Sequence, residues 1–271
     1  MDGKGSGVRY VAIGDSFTEG VGDEVGDGCR GWADLVASGL ARALGETVEY
    51  ANLAVRGRLL EPIVTTQLEA ALALEPAPTL LTLNGGGNDS MRPGCDLERL
   101  AELTEHAVRR CAAAGVRMVL LSGADPSAGL PLGRVVHRRG AALTEAVAAL
   151  AARHDVLFVD MFSDQEIRRS HYWSPDRLHL NADGHRRVAA SVLAALGHAE
   201  AAHVVAPGPT PARSWRTEAR YYREHVLPWL HRRLRGSSSG DDRAGKYPDW
   251  TPVPPDDRWI TKPIDPDLAT P

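Results

Sequence analysis

A serine, an aspartate and a histidine are spaced so that they could act as one nucleophilic unit, provided the fold brings them together. Ser16 stands in "GDSFTEG", where an apolar run at 8–13 ends in a turn. Asp176 and His179 stand three apart in "SPDRLHLNADGH". A free serine hydroxyl is a poor nucleophile and needs a neighbouring base to take its proton. A carboxylate close to a histidine can hold one ring nitrogen and leave the other free for that proton. Such chemistry also needs donors for a developing oxyanion. The Ser16 backbone N–H is one candidate. Gly57, in "NLAVRGR", lets backbone approach a ligand without a side chain in the way, and Asn88, after the three glycines of "LTLNGGGNDSMRP", can aim an amide into a cleft. Each piece alone has a plainer meaning: Ser16 as a cap, Asp-x-x-His as a surface ion pair, the glycines as a turn. A phosphate cradle at those glycines is disfavoured, because no Lys-Ser/Thr follows them and the dinucleotide spacing is absent.

Two further residues are candidates for a pocket. Arg92 is placed to meet an anionic substrate or to pair with a surface carboxylate, and Trp173 to wall a pocket or to fill core. The segments 122–134 and 89–94 are expected to wall the same pocket. His185 is read as structural, and His106, His137 and His154 as surface or core residues without a matching partner. "GSSSG" at 236–240 fits Gly-x-Ser-x-Gly, but that motif requires a strand before it and a helix after it. Here it follows a basic segment and leads into a Pro-rich end, so Ser238 is read as linker. No metal-binding spacing occurs, and no metal or organic cofactor is expected.

These residues need a scaffold that brings distant loops to one place. Apolar runs rich in Val, Ile and Leu recur at 8–13, 48–53, 79–83, 116–121 and 156–159. Unalternated runs of this kind suit strands buried on both faces of a parallel sheet. Segments of helical composition lie between them, at 32–44, 61–74, 96–114 and 135–153, and a last helix is expected between an N-cap at Asn181 and a stop at Gly197. Alternation of this kind predicts an α/β sandwich on about five parallel strands, with functional groups on the loops at the strands' carboxyl ends.

The bulk properties narrow the partners. The 271 residues are 43% hydrophobic and 24% charged, with a formal net charge of −4. That balance lacks the basic footprint of a nucleic-acid binder. Three cysteines without paired spacing give neither a disulfide framework nor a zinc signature. No run is long enough to span a membrane, and no secretory signal is recognised, so a cytoplasmic location is expected. Beyond residue 200 the chain changes character. Residues 201–271 hold eleven of the 18 prolines and four of the six tryptophans. We read them as a C-terminal extension to a domain at 1–200: an amphipathic helix with Trp215, Ala219, Tyr222, Val226 and Trp229 on one face, then a Pro-rich tail. Disordered tails are aromatic-poor, so part of the extension is expected to dock on the body or on a second copy in a homo-oligomer.

Taken together, the four loops form one set in one order, and here residues 8–196 resemble the SGNH hydrolases, or GDSL esterases and lipases. "GDSFTEG" matches the first block, Gly57 the second, "GGND" with Asn88 the third, and "DRLHLNADGH" the last. The resemblance implies a flavodoxin-like three-layer α/β/α sandwich. It also implies a Ser16–His179–Asp176 triad, an oxyanion hole from the Ser16 and Gly57 N–H groups and the Asn88 amide, and hydrolysis of small carboxylic esters through an acyl-enzyme. Two other readings stay open: O-deacetylation or acyl transfer on a sugar or natural product, and a non-catalytic module binding a phosphorylated ligand.

Overall fold

The computed structural model describes residues 7–130, 133–202 and 243–256. Its first unit is strand β1, Arg9–Ile13, followed directly by the one-turn helix α1, Ser16–Glu19. A small hairpin, β2 Glu24–Val25 and β3 Gly28–Cys29, leads to α2, Trp32–Leu44. Strand β4 is Val48–Asn52. The segment expected as one helix at 61–74 is broken into α3, Leu60–Pro62, a π-helical turn, Ile63–Gln67, and α4, Leu68–Leu72. Gln67, which closes the wide turn, spends its amide on Gly14, accepting from the N–H at 2.8 Å and donating to the carbonyl at 3.0 Å. The irregular turn thus satisfies the backbone at the end of β1, just before Ser16; a π turn at such a place is a common functional-site feature.

The chain continues through β5, Leu80–Asn84, the short α5, Gly87–Ser90, and α6, Leu97–Ala113. Strand β6 is Arg117–Leu121, α7 is Gly133–Arg153 and β7 is Leu157–Val159. Helix α8, Ala182–Leu196, starts on the Asn181 side chain, which accepts from the Asp183 and Gly184 N–H groups, and stops at Gly197 in the left-handed conformation. Both ends are those the sequence predicts.

The sheet has six strands in the order β7-β6-β5-β1-β4-β8, where β8 is Tyr247–Val253. The five strands of the repeating part are parallel, and their order is that of flavodoxin-like sheets. The sixth is a finding: β8 runs antiparallel to β4, pairing Val48 with Val253 and Asn52 with Tyr247. It corrects the picture of residues 201–271 as only a helix and a tail outside the first domain, because one stretch of them completes that domain's sheet. Pro248 and Pro252 are tolerated because β8 is an edge strand, whose outer backbone groups need no ladder partner. Trp250 docks on the body through Nε1, which donates to the Pro76 carbonyl at 3.0 Å. The predicted amphipathic helix, Ser238 and the remaining Pro-rich tail lie outside the described residues, as does any oligomer contact made there.

Helices cover both faces. On one side α2 and α8 bury Trp32, Leu40, Val188 and Val192 against Tyr10 and Tyr50. On the other, α4, α6 and α7 bury Leu68, Leu103, Ala107 and Leu150 against Val11, Leu81 and Leu120. Among the described residues no helix is long and apolar enough to cross a membrane, and no cluster of His, Cys, Asp and Glu suits a metal ion.

Candidate active site

In this sheet the chain reverses direction at β1, going first to β4 on one side and then to β5 on the other. Ligand sites of open α/β sheets gather at such a switch point, outside the strands' carboxyl ends. Ser16 is placed there. The turn before it is tight: a Cβ on Gly14 would stand 2.5 Å from Thr18 Oγ1 and 2.7 Å from the Asn84 carbonyl oxygen. Asp15 caps α1, its Oδ1 accepting from the Phe17 N–H at 3.0 Å, so the serine that follows leaves the strand end at a fixed angle.

The fold brings Asp176 and His179 to this serine from 160 residues away. His179 Nε2 lies 3.0 Å from Ser16 Oγ, and its Nδ1 lies 2.6 Å from Asp176 Oδ2. An ionised Asp176 can only accept, so Nδ1 carries the proton and Nε2 faces the serine with a lone pair. Asp176 is itself held by its loop: Oδ1 accepts from Ser174 Oγ at 2.6 Å and from the N–H groups of Leu178 and His179 at 2.9 and 3.0 Å. Burial pushes this carboxyl up, but the hydrogen bond and charge of His179, with Ser174 and the backbone, outweigh it and hold Asp176 well below the usual carboxylate range.

The remaining predicted residues divide. Asn88 reaches the site indirectly: Nδ2 donates to Asp15 Oδ2 at 3.1 Å and to the Arg58 carbonyl at 3.0 Å. It therefore ties the third loop both to the residue before Ser16 and to the loop that carries Gly57. Asp89 adds a second tie, accepting from the Leu60 N–H at 3.0 Å. Burial raises the Asp15 carboxyl to about 6. Gly57 has a φ of 76°, a conformation that disfavours any side chain, and sits in the turn after β4. It does not line the cavity described below, whereas Ser16, Asn88, His179 and Trp173 do. Trp173 is fixed by Nε1, which donates to the Ile167 carbonyl at 2.9 Å. Arg92 corrects the pocket expectation: it is exposed and lies off the cavity lining, and its carbonyl accepts from Arg139 at 2.8 Å.

Two histidines read as partnerless have partners, one from the loop after β6 and one from α6. His137 Nδ1 lies 2.8 Å from Asp125 Oδ2, and His154 Nε2 lies 3.0 Å from Glu105 Oε1. His185 is structural as read. It is fully buried, its Nδ1 accepts from the Trp32 N–H and its Nε2 donates to the Val21 carbonyl, both at 3.3 Å. Sequence reasoning missed two groups that brace α1. Arg56 forks onto Glu19, and Lys246 donates to the Glu19 carbonyl at 2.7 Å, to the Cys29 carbonyl at 2.9 Å and to Asp34. Only the rarity of lysine in the chain could have drawn attention to Lys246.

A cavity of about 130 Å³ opens beside Ser16 and His179. Segments 89–94 and 122–134 contribute to its wall through Ser90, Met91, Ser122, Gly123, Ala124 and Pro126.

Fold and site together define a flavodoxin-like α/β protein with a hydrogen-bonded Ser–His–Asp chain at its switch point. The family model described as GDSL-like Lipase/Acylhydrolase family matches residues 12–187, most of the 271, and spans all five matched positions; the chain belongs to that family and is a hydrolase. Among solved structures, it is similar to the lipase Lip_vut3 from a goat rumen metagenome, at 19% identity over 72% of this chain and 99% of that one, with a TM-score of 0.59. A catalytic mutant of Axe2, an acetylxylan esterase from Geobacillus stearothermophilus, matches at 19% identity over 71% and 95%, with a TM-score of 0.60. The psychrotrophic esterase EstA from a Pseudoalteromonas species, inhibited by monoethylphosphonate, matches at 18% over 70% and 97%, with a TM-score of 0.55. These likenesses establish the fold. No curated protein sequence matches the chain.

Proposed function

We propose that the protein hydrolyses carboxylic esters of small molecules through a covalent acyl-enzyme on Ser16. The observation that carries this reading is the continuous hydrogen-bonded line from Ser16 Oγ through His179 to Asp176, at 3.0 and 2.6 Å, at the mouth of a cavity. Ser16 Oγ attacks the carbonyl carbon as His179 Nε2 takes its proton, and Asp176 stabilises the imidazolium so formed. The oxyanion is received by the Ser16 N–H at the cavity, with the Gly57 N–H and the Asn88 amide as further donors, the amide after exchanging one of its two bonds, to Asp15 or to the Arg58 carbonyl, for the substrate. Neither of those two N–H groups has a protein acceptor among the described residues. His179 then protonates the leaving alcohol, and the same nitrogen deprotonates the water that releases the acid. A phosphorylated ligand is a poorer fit, because no Lys or Arg is found among the described residues lining the cavity.

Ser16→Ala tests the assignment. The variant is expected to lose hydrolysis of p-nitrophenyl esters and covalent labelling by a fluorophosphonate, while keeping the wild-type melting temperature within a degree or two. Labelling that survives in Ser16→Ala would overturn the role of Ser16.

A further inference from the structure

The cavity is not a symmetric bowl around Ser16. Its lining follows the carboxyl edge of the sheet away from β1, with Asn84 ending β5 and Gly85 after it, Ser122 to Ala124 after β6, and Phe162 after β7. Three strand spacings separate β1 from β7, about 14 Å. Its outer wall is a single stripe of α7: Val136, Gly140, Leu143, Thr144 and Val147. These positions recur at three and four residues, so they form one helical face. The stripe is shared: Leu143 and Val147 also pack on the core, while Val136 and Thr144 are only half-buried beside the cavity.

The chemistry of this arm is apolar. The titratable groups that line the cavity, Asp15 and His179, both belong to the Ser16 end. The polar side chains at the strand tips are tied to the protein: Asn84 Nδ2 donates to the Leu121 carbonyl at 3.0 Å, leaving its Oδ1 as an acceptor, and Ser122 Oγ accepts from the N–H groups of Met161 and Phe162 at 2.8 and 3.0 Å. The far end is closed by the Phe162 ring, which is locked from two sides. It nests on Gly140, where an added Cβ would stand 2.4 Å from Cε2. It also stacks on His137, with centroids 5.4 Å apart, and His137 is held by Asp125, which also takes Arg168 at 3.0 Å.

The direction of the chemistry decides what enters. A leaving alcohol must lie against His179 to receive its proton, so the acyl chain points the other way, along the strand tips and under α7. We propose that this arm is an acyl-chain pocket whose length is set by Phe162 seated on Gly140, and that the preferred substrates are esters of four- to six-carbon aliphatic acids. The proposal rests on the ester-hydrolase reading above. The size sets the upper end: an apolar cavity of about 150 Å³ takes the six carbons of benzene, and this one, its Ser16 end included, is about 130 Å³.

The test is a series of p-nitrophenyl esters from acetate to dodecanoate, on the full chain and on Phe162→Ala and Val147→Phe. Each methylene buried is expected to raise kcat/KM about fourfold, up to butanoate or hexanoate, with a fall beyond. Phe162→Ala opens the end wall and should raise the octanoate-to-hexanoate ratio at least tenfold. Val147→Phe fills the arm and should lower the hexanoate-to-acetate ratio by a similar factor. Acetate turned over as well as both butanoate and hexanoate, or chain-length profiles unchanged in both variants, would overturn the pocket. The underlying reading fails separately: a flat profile whose acetate hydrolysis disappears in Ser16→Ala removes only the pocket, whereas no ester hydrolysis and no fluorophosphonate labelling removes both.

Discussion

The short helix α1 is gripped at both ends by an aspartate acting through a nitrogen-bearing side chain, and the two grips differ in kind. At its start, Asp176 holds His179, and His179 meets the Ser16 hydroxyl. At its end, Asp34 holds Lys246, and Lys246 meets the Glu19 carbonyl. The first pair is partly open, with side chains 20% and 28% exposed; the second is shut in, at 9% and 4%. Burial raises the Asp34 carboxyl even beside its lysine, whereas Asp176, with donors on both oxygens, is held low. The imidazole lies at the cavity with one ring nitrogen on the carboxylate and the other on the serine hydroxyl. The shut-in lysine, with three oxygen acceptors, acts as a tie. Similar pairings thus leave one end of four residues facing the cavity and tie the other end down.

Breaking each grip should expose that difference. Asp176→Asn leaves the shape but not the proton bookkeeping, and by the behaviour of such triads kcat should fall about 10⁴-fold. Its melting temperature should stay close to wild type, and steady-state kinetics with thermal melts on the same sample check both halves. Lys246→Met does the reverse. It leaves Asp34 as an uncompensated buried charge, which costs about 3–5 kcal/mol of stability, read by urea unfolding. Activity per folded molecule should fall far less than in Asp176→Asn.

A third, smaller test uses the neighbouring imidazole. Burial lowers His185 to about 4, below the 6.5 of a free histidine, so the fold favours its neutral form. Its stabilising contribution is therefore complete above pH 6.5 and is lost as pH falls through about 4, on the order of 3 kcal/mol in all. His185→Gln, which cannot gain the proton, should flatten the melting curve's dependence on pH across that window. An unchanged acid dependence would mean that other groups govern it.

What the sequence disclosed follows from where information is local. The bounds of α2 and α8 could be read because their stops, Gly45 and Gly197, and the Asn181 cap are written beside them. The five parallel strands showed as apolar runs because both faces are covered. Ser16, Asp176 and His179 were legible as types and spacing, and their convergence was legible only through strand-end placement. Strand β8 was hidden, since "YPDWTPV" is interrupted by two prolines and only its ends, Tyr247 and Val253, are buried. The break at Ile63–Gln67 was hidden too, because its cause is a contact with Gly14, 53 residues earlier. The ties of Asn88 to Asp15 and of His137 to Asp125 are equally non-local, and no local pattern announces them.

The lysine that steadies α1 lies 227 residues after the carbonyl it binds. A chain leaves the ribosome from its N-terminus at about 5–20 residues per second, so the Glu19 segment waits roughly 11–45 s for its partner. Throughout that interval the outer rim of β4 has no strand beside it and offers its backbone to any extended peptide nearby. The order of synthesis therefore leaves the newborn protein open along the β4 edge, one strand from Ser16, until the last described strand arrives to close it.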